Sequence, residues 1–172
     1  MACALTQNYV LDCRDSLGGL IEVYFIESSN ISSTTEASGV ITAISKVTGK
    51  KFYKYELTKG TSAFTETISA NVANGTMFYT TELTIILNKL QANTRNEILL
   101  LGQNRLIAVA KDVNGKYWYL GKTRALDLTG GSAATGTAEG DRSGYTLTFT
   151  GAEKNLAPEV ESTVALALTT AG

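Results

Sequence analysis

The chain is predicted to be mainly β: a β-sandwich or partial barrel with long hairpins and one flanking α-helix. Three observations favour this class. Segments that alternate apolar and polar residues recur along the 172 residues, which is the period of strands with one buried face. Two Asn-Gly pairs, at 74–75 and 114–115, each separate two such segments, and this pair is a strong hairpin signal. A single segment has the apolar spacing of a helix.

The first part of the chain predicts a strand followed by a hairpin. Residues 20–26 (LIEVYFI) are rich in β-branched and aromatic types, so they predict the first strand. The polar residues 28–38 are expected to form a connection. Residues 39–47 and 50–59 then predict the two arms of a hairpin about Thr-Gly at 48–49.

A long hairpin is predicted next. Residues 64–70 alternate, and after Asn74-Gly75 the alternation resumes over residues 76–87. Both turn residues are expected at positive φ, as a type I′ turn requires. At about 3.3 Å per residue the second strand would extend roughly 40 Å, which favours a barrel wall or a projecting hairpin.

One helix and a further hairpin follow. The helix is predicted over residues 88–101, with a reciprocal side-chain cap at its start and Gly102 in the left-handed conformation that ends it. Residues 106–113 and 116–122 then predict a hairpin about Asn114-Gly115, again with both turn residues at positive φ.

The last third predicts strands at residues 124–128 and 143–150 and a long connection between them, residues 129–142. The connection is rich in glycine and other small residues, so it cannot build a core of its own. It is expected to be mobile unless a neighbouring subunit orders it.

The chain is predicted to form a single domain, residues 1–172, with a C-terminal tail over residues 158–172. In the tail Val164, Leu166 and Leu168 stand at a spacing of two, which predicts an added strand.

The charge balance argues against a tightly held nucleic acid. Lys and Arg number 15 against 16 Asp and Glu, for a net charge of −1, so there is no positive excess to neutralise a phosphate backbone. The charged fraction of 18% is low and small polar residues are plentiful. This composition is typical of a β-rich surface that another protein covers. The simplest arrangement is that copies of the chain cover one another.

The residue types and their spacing also argue against an enzyme, a phosphate-binding loop or a metal site. The chain has no histidine, the side chain most often used for proton transfer near neutral pH. Residues 136–140 (GTAEG) precede a predicted strand, whereas a phosphate-binding loop opens a helix. Asp127, Glu139 and Asp141 lack the alternating spacing of a calcium loop. No acidic pair is singled out for glycoside hydrolysis. We expect no enzyme activity, cofactor or metal.

The N-terminal residues have no basic region followed by an apolar stretch, so no secretory signal is expected. No apolar run has the length that a bilayer requires, and we expect no membrane partner. Synthesis in the cytoplasm would keep Cys3 and Cys13 reduced.

Three motifs in the region 118–158 carry a resemblance to a known group. They are WYLG from Trp118, TGTAEGD from Thr135 and SGYTLTFTGAE from Ser143. Together they resemble structural proteins of tailed bacteriophages, with the tail tube or major tail protein group as the nearest. The resemblance implies a sandwich or partial barrel with a flanking helix. It also implies rings in which neighbours join their strands into one wall and which stack into a tube or connector for DNA.

The partners that follow are copies of the chain in a homo-oligomeric ring, other virion proteins and transient, non-specific DNA in the lumen. The resemblance also implies a location in the virion, after synthesis in the host cytoplasm. A capsid decoration or auxiliary protein is the alternative. A carbohydrate-binding module that uses the Tyr117-Trp118-Tyr119 aromatics is the third hypothesis, although such a cluster is more often a core or an interface.

The long strand over residues 76–87 has few charges, and it is expected to offer an open edge to a neighbour. Lysine at Thr80 and Thr84, on its wetter face, is therefore expected to block assembly. The lumen is expected to lack a dense Lys/Arg lining. The residues predicted to lie in contacts between copies are Thr80, Thr84, Tyr117, Trp118, Tyr119, Gly136, Asp141 and Tyr145.

Overall fold

The computed structural model describes residues 8–10 and 13–171. In this part of the chain, eleven strands form a seven-stranded and a four-stranded sheet, with one long and one short helix. The predicted class, mainly β and sandwich-like with a flanking α-helix, is confirmed. Cys3 lies outside the described residues, so the expectation that it is reduced stays a prediction.

The elements follow one another in a mostly antiparallel order. In chain order they are β1 (Leu20–Glu27), a 3₁₀ turn (Ser28–Asn30), β2 (Ile31–Ala37), β3 (Val40–Lys46), β4 (Tyr53–Glu56), β5 (Ala63–Asn71), β6 (Thr76–Asn88), α1 (Ala92–Gln103), β7 (Leu106–Asp112), β8 (Tyr117–Leu120), β9 (Asp127–Ala134), β10 (Gly144–Glu153), β11 (Glu159–Val160) and α2 (Ser162–Leu166). The large sheet has the order β2-β3-β11-β8-β7-β1-β4, and the small sheet has the order β5-β6-β10-β9.

The two sheets enclose the main core. Alternate residues of β1 and β7 face alternate residues of β6 and β10 across it. Phe25 lies at its centre, 4.9 Å from the ring of Phe149 in the opposite sheet and 5.3 Å, edge to face, from the ring of Tyr55. This contact joins the two layers of the sandwich.

A second core covers the other face of the large sheet. Tyr24, Ile26 and Val109 point to this face and pack with Phe52 and with the C-terminal segment that contains Leu168. The segment is held by backbone bonds as well, since Phe52 N–H donates to Leu168 O at 3.0 Å. The central strands β1, β7 and β8 of the large sheet are therefore covered on both faces, and the sandwich has a third, partial layer.

The tail does not form the predicted strand. Val164 and Leu166 belong to α2, and Leu168 follows it. After β11 the tail buries Ala165 and Leu168, three apart on one side of a helical turn, whereas Leu166 is 76% exposed. The spacing of two in the sequence thus did not mark one face of a strand.

The predicted hairpin about residues 48–49 is also wrong. β3 pairs with β2, which is formed by the polar stretch expected to be a connection, and β4 pairs with β1 at the opposite edge of the sheet. The connection between β3 and β4 passes from one side of the large sheet to the other. Phe52, near its end, is 1% exposed in the second core. The two-residue turn with both φ values positive is Ser38-Gly39, at +52° and +81°.

The two Asn-Gly hairpins are confirmed in place, but not in turn type. Gly75 and Gly115 have positive φ, whereas Asn74 and Asn114 do not. Asn71 pairs with Thr76, which leaves a loop of four residues. At the second turn Asp112 N–H donates to Lys116 O at 2.9 Å, which leaves a loop of three residues.

Gly115→Val is expected to lower the free energy of unfolding by about 1 to 2 kcal/mol, because a β-branched residue is strained at a φ of +84°. Denaturant titration measures the change. The control is Gly140→Val, at an exposed glycine without positive φ whose added Cβ meets nothing within 4 Å. Equal losses in both variants would contradict the assignment of strain to Gly115.

Helix α1 begins four residues later than predicted, because β6 continues to Asn88 and Lys89 turns the chain at φ +71°. Gln91 is the N-cap and makes no side-chain cap bond, and Gly102 lies inside the helix. Leu101 is buried and Ile98 packs against the main core. A Cβ on Gly102 would be 3.4 Å from Leu128 of β9, so α1 covers the end of the sandwich beside that strand.

β9 extends into the segment that was predicted to be a connection, residues 129–142. Instead of residues 124–128 it spans Asp127–Ala134 and pairs with β10 along its length. Its small side chains permit this pairing, since a Cβ on Gly131 would be 2.8 Å from Thr146 O. The connection is therefore shortened to residues 135–143. β10 is confirmed and continues beyond its predicted end to Glu153.

Candidate interface on the four-stranded sheet

The small sheet has two edges without a partner strand in the described residues, β5 and β9. Each is long for an edge, with nine and eight residues. Natural edge strands are protected by charges, prolines or short length. Here β5 has one charged residue, Glu66, and β9 has one, Asp127. Both edges are thus open to pairing with another chain.

The long strand β6 is not one of these edges. It lies between β5 and β10, so that Thr80 pairs with both Thr67 and Ala152, and Thr84 pairs with both Ala63 and Thr148. The expectation of an open edge on this strand is wrong, because a partner strand lies on either side. Thr80 and Thr84 do point to the outer face of the sheet, as predicted.

The strand directions matter for assembly. Each neighbouring pair in the order β5-β6-β10-β9 is antiparallel, so the two edge strands run in opposite directions. If a second copy is placed beside the first by rotation about an axis along the strands, β9 of one copy and β5 of the other are antiparallel. The alternation of directions then continues through the contact.

The β5-β6 hairpin extends beyond the sandwich with apolar side chains exposed. Ile68 and Met77 continue the inner face of the sheet and are 57% and 56% exposed, and Val72 at the tip is 94% exposed. No residue from 67 to 81 is charged. We call this part, residues 67–78, the overhang. A contiguous exposed apolar surface of this kind marks a contact with another molecule.

A groove at the opposite edge has matching properties. Its volume is about 400 Å³, and it lies between α1 and β9. The lining has no charged residue and includes Ile98, Leu128, Gly130, Ala133, Tyr145 and Leu147. Of the residues predicted to lie in contacts, Tyr145 is placed here.

The outer face of the small sheet is covered with hydroxyl groups. Residues paired directly across strands share a face, and one such row is Thr65, Glu82, Thr150 and Asp127. The strands β5, β6, β9 and β10 contain no lysine or arginine. The charges that these strands place on the outer face are therefore the carboxylates of Glu82 and Asp127.

The aromatic cluster is not on the surface. Tyr117 and Tyr119 are 6% and 1% exposed in the second core, because the C-terminal segment covers the face of β8 that they share. Trp118 packs against the main core, where its Nε1–H donates to Asp112 Oδ2 at 3.2 Å. The prediction that Tyr117 and Tyr119 contact a partner is wrong, and the carbohydrate hypothesis loses the rings on which it depended.

Gly136 and Asp141 lie together in the loop of residues 135–143. The Asp141 carboxylate accepts the N–H groups of Ala138 at 2.8 Å and Thr137 at 2.9 Å, and these bonds hold the pKa of Asp141 below its usual range. Gly136 has φ +76°, and a Cβ there would be 2.5 Å from Asp141 Cβ. The loop therefore has internal order, next to the β9 edge.

Comparison with family models, with curated proteins and with solved structures finds no match for this chain. None of the helices in the described part of the chain is long and apolar enough for a membrane crossing. The functional argument therefore depends on the two edges, the overhang and the groove.

Proposed function

We propose that this protein is a structural subunit that assembles with copies of itself into a ring, as the tail tube or head-to-tail connector of a tailed-bacteriophage virion. The observation that carries the proposal is the pair of open edges, β5 and β9, on one sheet. Because the two edges differ, their contact is heterologous, and heterologous contacts close into rings or continue as filaments. In a closed ring every copy has both edge strands of its small sheet, β5 and β9, paired with a neighbour.

The side chains support this contact. The overhang and the groove both lie on the inner face of the small sheet, one at each edge. Both surfaces are uncharged and partly apolar, so neither of them would place an ion in a contact between copies. The apolar area that it buries adds to the backbone bonds of the new ladder.

The widths of the sheets indicate which of them faces the axis. At about 4.8 Å between strands, four strands are roughly 19 Å wide and seven are roughly 34 Å wide. In a closed ring the narrower layer fits the smaller circumference. The outer face of the small sheet would then line the lumen, where hydroxyl groups and two carboxylates give DNA phosphates no cation to bind.

The test is the oligomeric state of the purified chain. We expect light scattering and negative-stain images to show rings with a central opening, and stacks of rings at high concentration. A protein that stays monomeric, or forms trimers without an opening, contradicts the proposal. That outcome would favour the capsid decoration alternative.

The loop of residues 135–143 gives a second test. Trypsin is expected to cleave after Arg142 more slowly in the assembled protein than in the isolated subunit, because the loop lies next to the β9 edge that a neighbour would cover. Cleavage after Lys50, exposed in the β3-β4 connection, is the control and should not change. Equal rates at Arg142 in the two forms would show that no neighbour covers the loop.

A further inference from the structure

A polar cleft of about 550 Å³ lies between β2 and the turn after β8, and it reaches the first residue of β9, Asp127. One wall is β2 with the 3₁₀ turn before it, which contribute Ser28, Ser32, Ser33 and Thr34 to the lining. The other wall is Arg105, at the start of β7, with the turn of residues 121–125 that follows β8. The cleft is thus built within one chain and needs no neighbouring copy.

Its walls have an excess of positive charge. Three cations line it, Arg105, Lys122 and Arg124, against one carboxylate, Asp127. Lys122 forms an ion pair with Glu36. Among the described residues neither arginine has an ion-pair partner. Neither arginine is therefore bound to a carboxylate of the described residues.

The turn that carries Arg124 is held in a fixed conformation. The Glu153 carboxylate, 7% exposed, accepts the N–H groups of Arg124 at 2.9 Å and Thr123 at 3.0 Å. Ala125 has φ +62°, a conformation that non-glycine residues rarely adopt. On the other side Ser28 N–H donates to Arg105 O at 2.8 Å. The backbones of both arginines are thus held by hydrogen bonds within the fold.

Two arginines and several hydroxyl groups are suited to a tetrahedral oxyanion. A phosphate has enough acceptor oxygens for both guanidinium groups, and arginine binds phosphate through parallel hydrogen bonds. The remaining hydroxyl groups can pair with those of a sugar. The volume is in the range of small-molecule sites. The aromatic ring in the lining, Tyr119, is buried and offers no surface on which a base would stack.

We propose that this cleft binds a small sugar phosphate, with Arg105 and Arg124 holding the phosphate and the serine wall facing the sugar. This binding goes beyond the proposed function and does not depend on ring formation.

The test is calorimetric titration of the full chain at low ionic strength. We expect ribose 5-phosphate to bind saturably, inorganic phosphate to bind more weakly and ribose not to bind. Arg105→Gln and Arg124→Gln should each weaken the binding of ribose 5-phosphate at least about tenfold, the usual effect of losing a charge-assisted hydrogen bond. The matched control is Arg95→Gln, an exposed arginine on α1 outside the cleft, which should leave binding unchanged.

Three results would overturn the proposal. The first is the absence of saturable binding by either phosphate compound. The second is an equal loss in Arg95→Gln, which would indicate unspecific attraction to positive charge. The third is tight binding of a single-stranded oligonucleotide in place of ribose 5-phosphate, which would assign the arginines to a nucleic-acid backbone. Phosphorus NMR of ribose 5-phosphate with the wild-type protein tests the binding without any variant, should one of them fail to fold.

Discussion

Ala133→Lys is expected to abolish ring assembly while the subunit stays folded. Ala133 is an exposed residue of the β9 edge and pairs with Tyr145 on the face that lines the groove. A lysine that points to this face is a device by which natural edge strands avoid pairing. Burial of an unpaired ammonium group costs several kcal/mol, so the concentration needed for assembly should rise at least about a hundredfold. Light scattering against concentration measures it.

The same change at the other edge gives a sharper test. Ala70→Lys places the charge on β5, opposite Met77 in the overhang, and this variant should also stay monomeric. An equimolar mixture of the two variants should form dimers that grow no further. The intact β5 of one variant pairs with the intact β9 of the other, and the two remaining edges both carry lysine.

The control is Thr80→Lys, on the outer face of the interior strand β6. Because β6 has no free edge, this variant should still form rings, contrary to the expectation from sequence. Ring formation by Ala133→Lys, or an equal loss of assembly in Thr80→Lys, would contradict the edge-to-edge contact.

Phe149→Ala is expected to lower the free energy of unfolding by about 3 to 5 kcal/mol, the range for large-to-alanine changes in a core. Phe149 is fully buried and its ring contacts Phe25 across the sandwich, so the loss leaves a cavity between the sheets. Urea titration in the monomeric Ala133→Lys background measures the subunit alone.

The matched control for the core is Phe78→Ala in the same background. Phe78 is 46% exposed on the overhang, and its loss should cost less than about 1 kcal/mol. Similar losses at the two positions would show that Phe149 does not join the two sheets.

Local patterns predicted the strands that pair with their sequence neighbours. The β5-β6 and β7-β8 hairpins and β10 were found from alternation and Asn-Gly turns. β2 was missed because its serines and threonines form an edge strand without a fully buried residue, and such a segment has the composition of a loop. The pairing of β4 with β1 is not local, and periodicity carries no information about a distant partner.

The candidate site was predictable only in part. Alternation along β6 placed Thr80 and Thr84 on the outer face, but it does not reveal that both edges of that strand are occupied. The aromatic residues of β8 were misassigned because the C-terminal segment buries the face that Tyr117 and Tyr119 share. β9 was missed because glycine and alanine form a strand only when a partner such as β10 supplies the ladder.

The C-terminal segment sets an order of events during synthesis. β11 bridges β3 and β8, and Leu168 completes the second core. A nascent chain of which only residues 1–158 have left the ribosome therefore has an incomplete large sheet. The edges β5 and β9 belong to the other sheet and are made earlier. When several ribosomes translate one message, incomplete chains with unpaired strand edges would therefore lie close to one another. We expect pairing to be productive only once the C-terminal segment has been made and the large sheet is complete behind the small one.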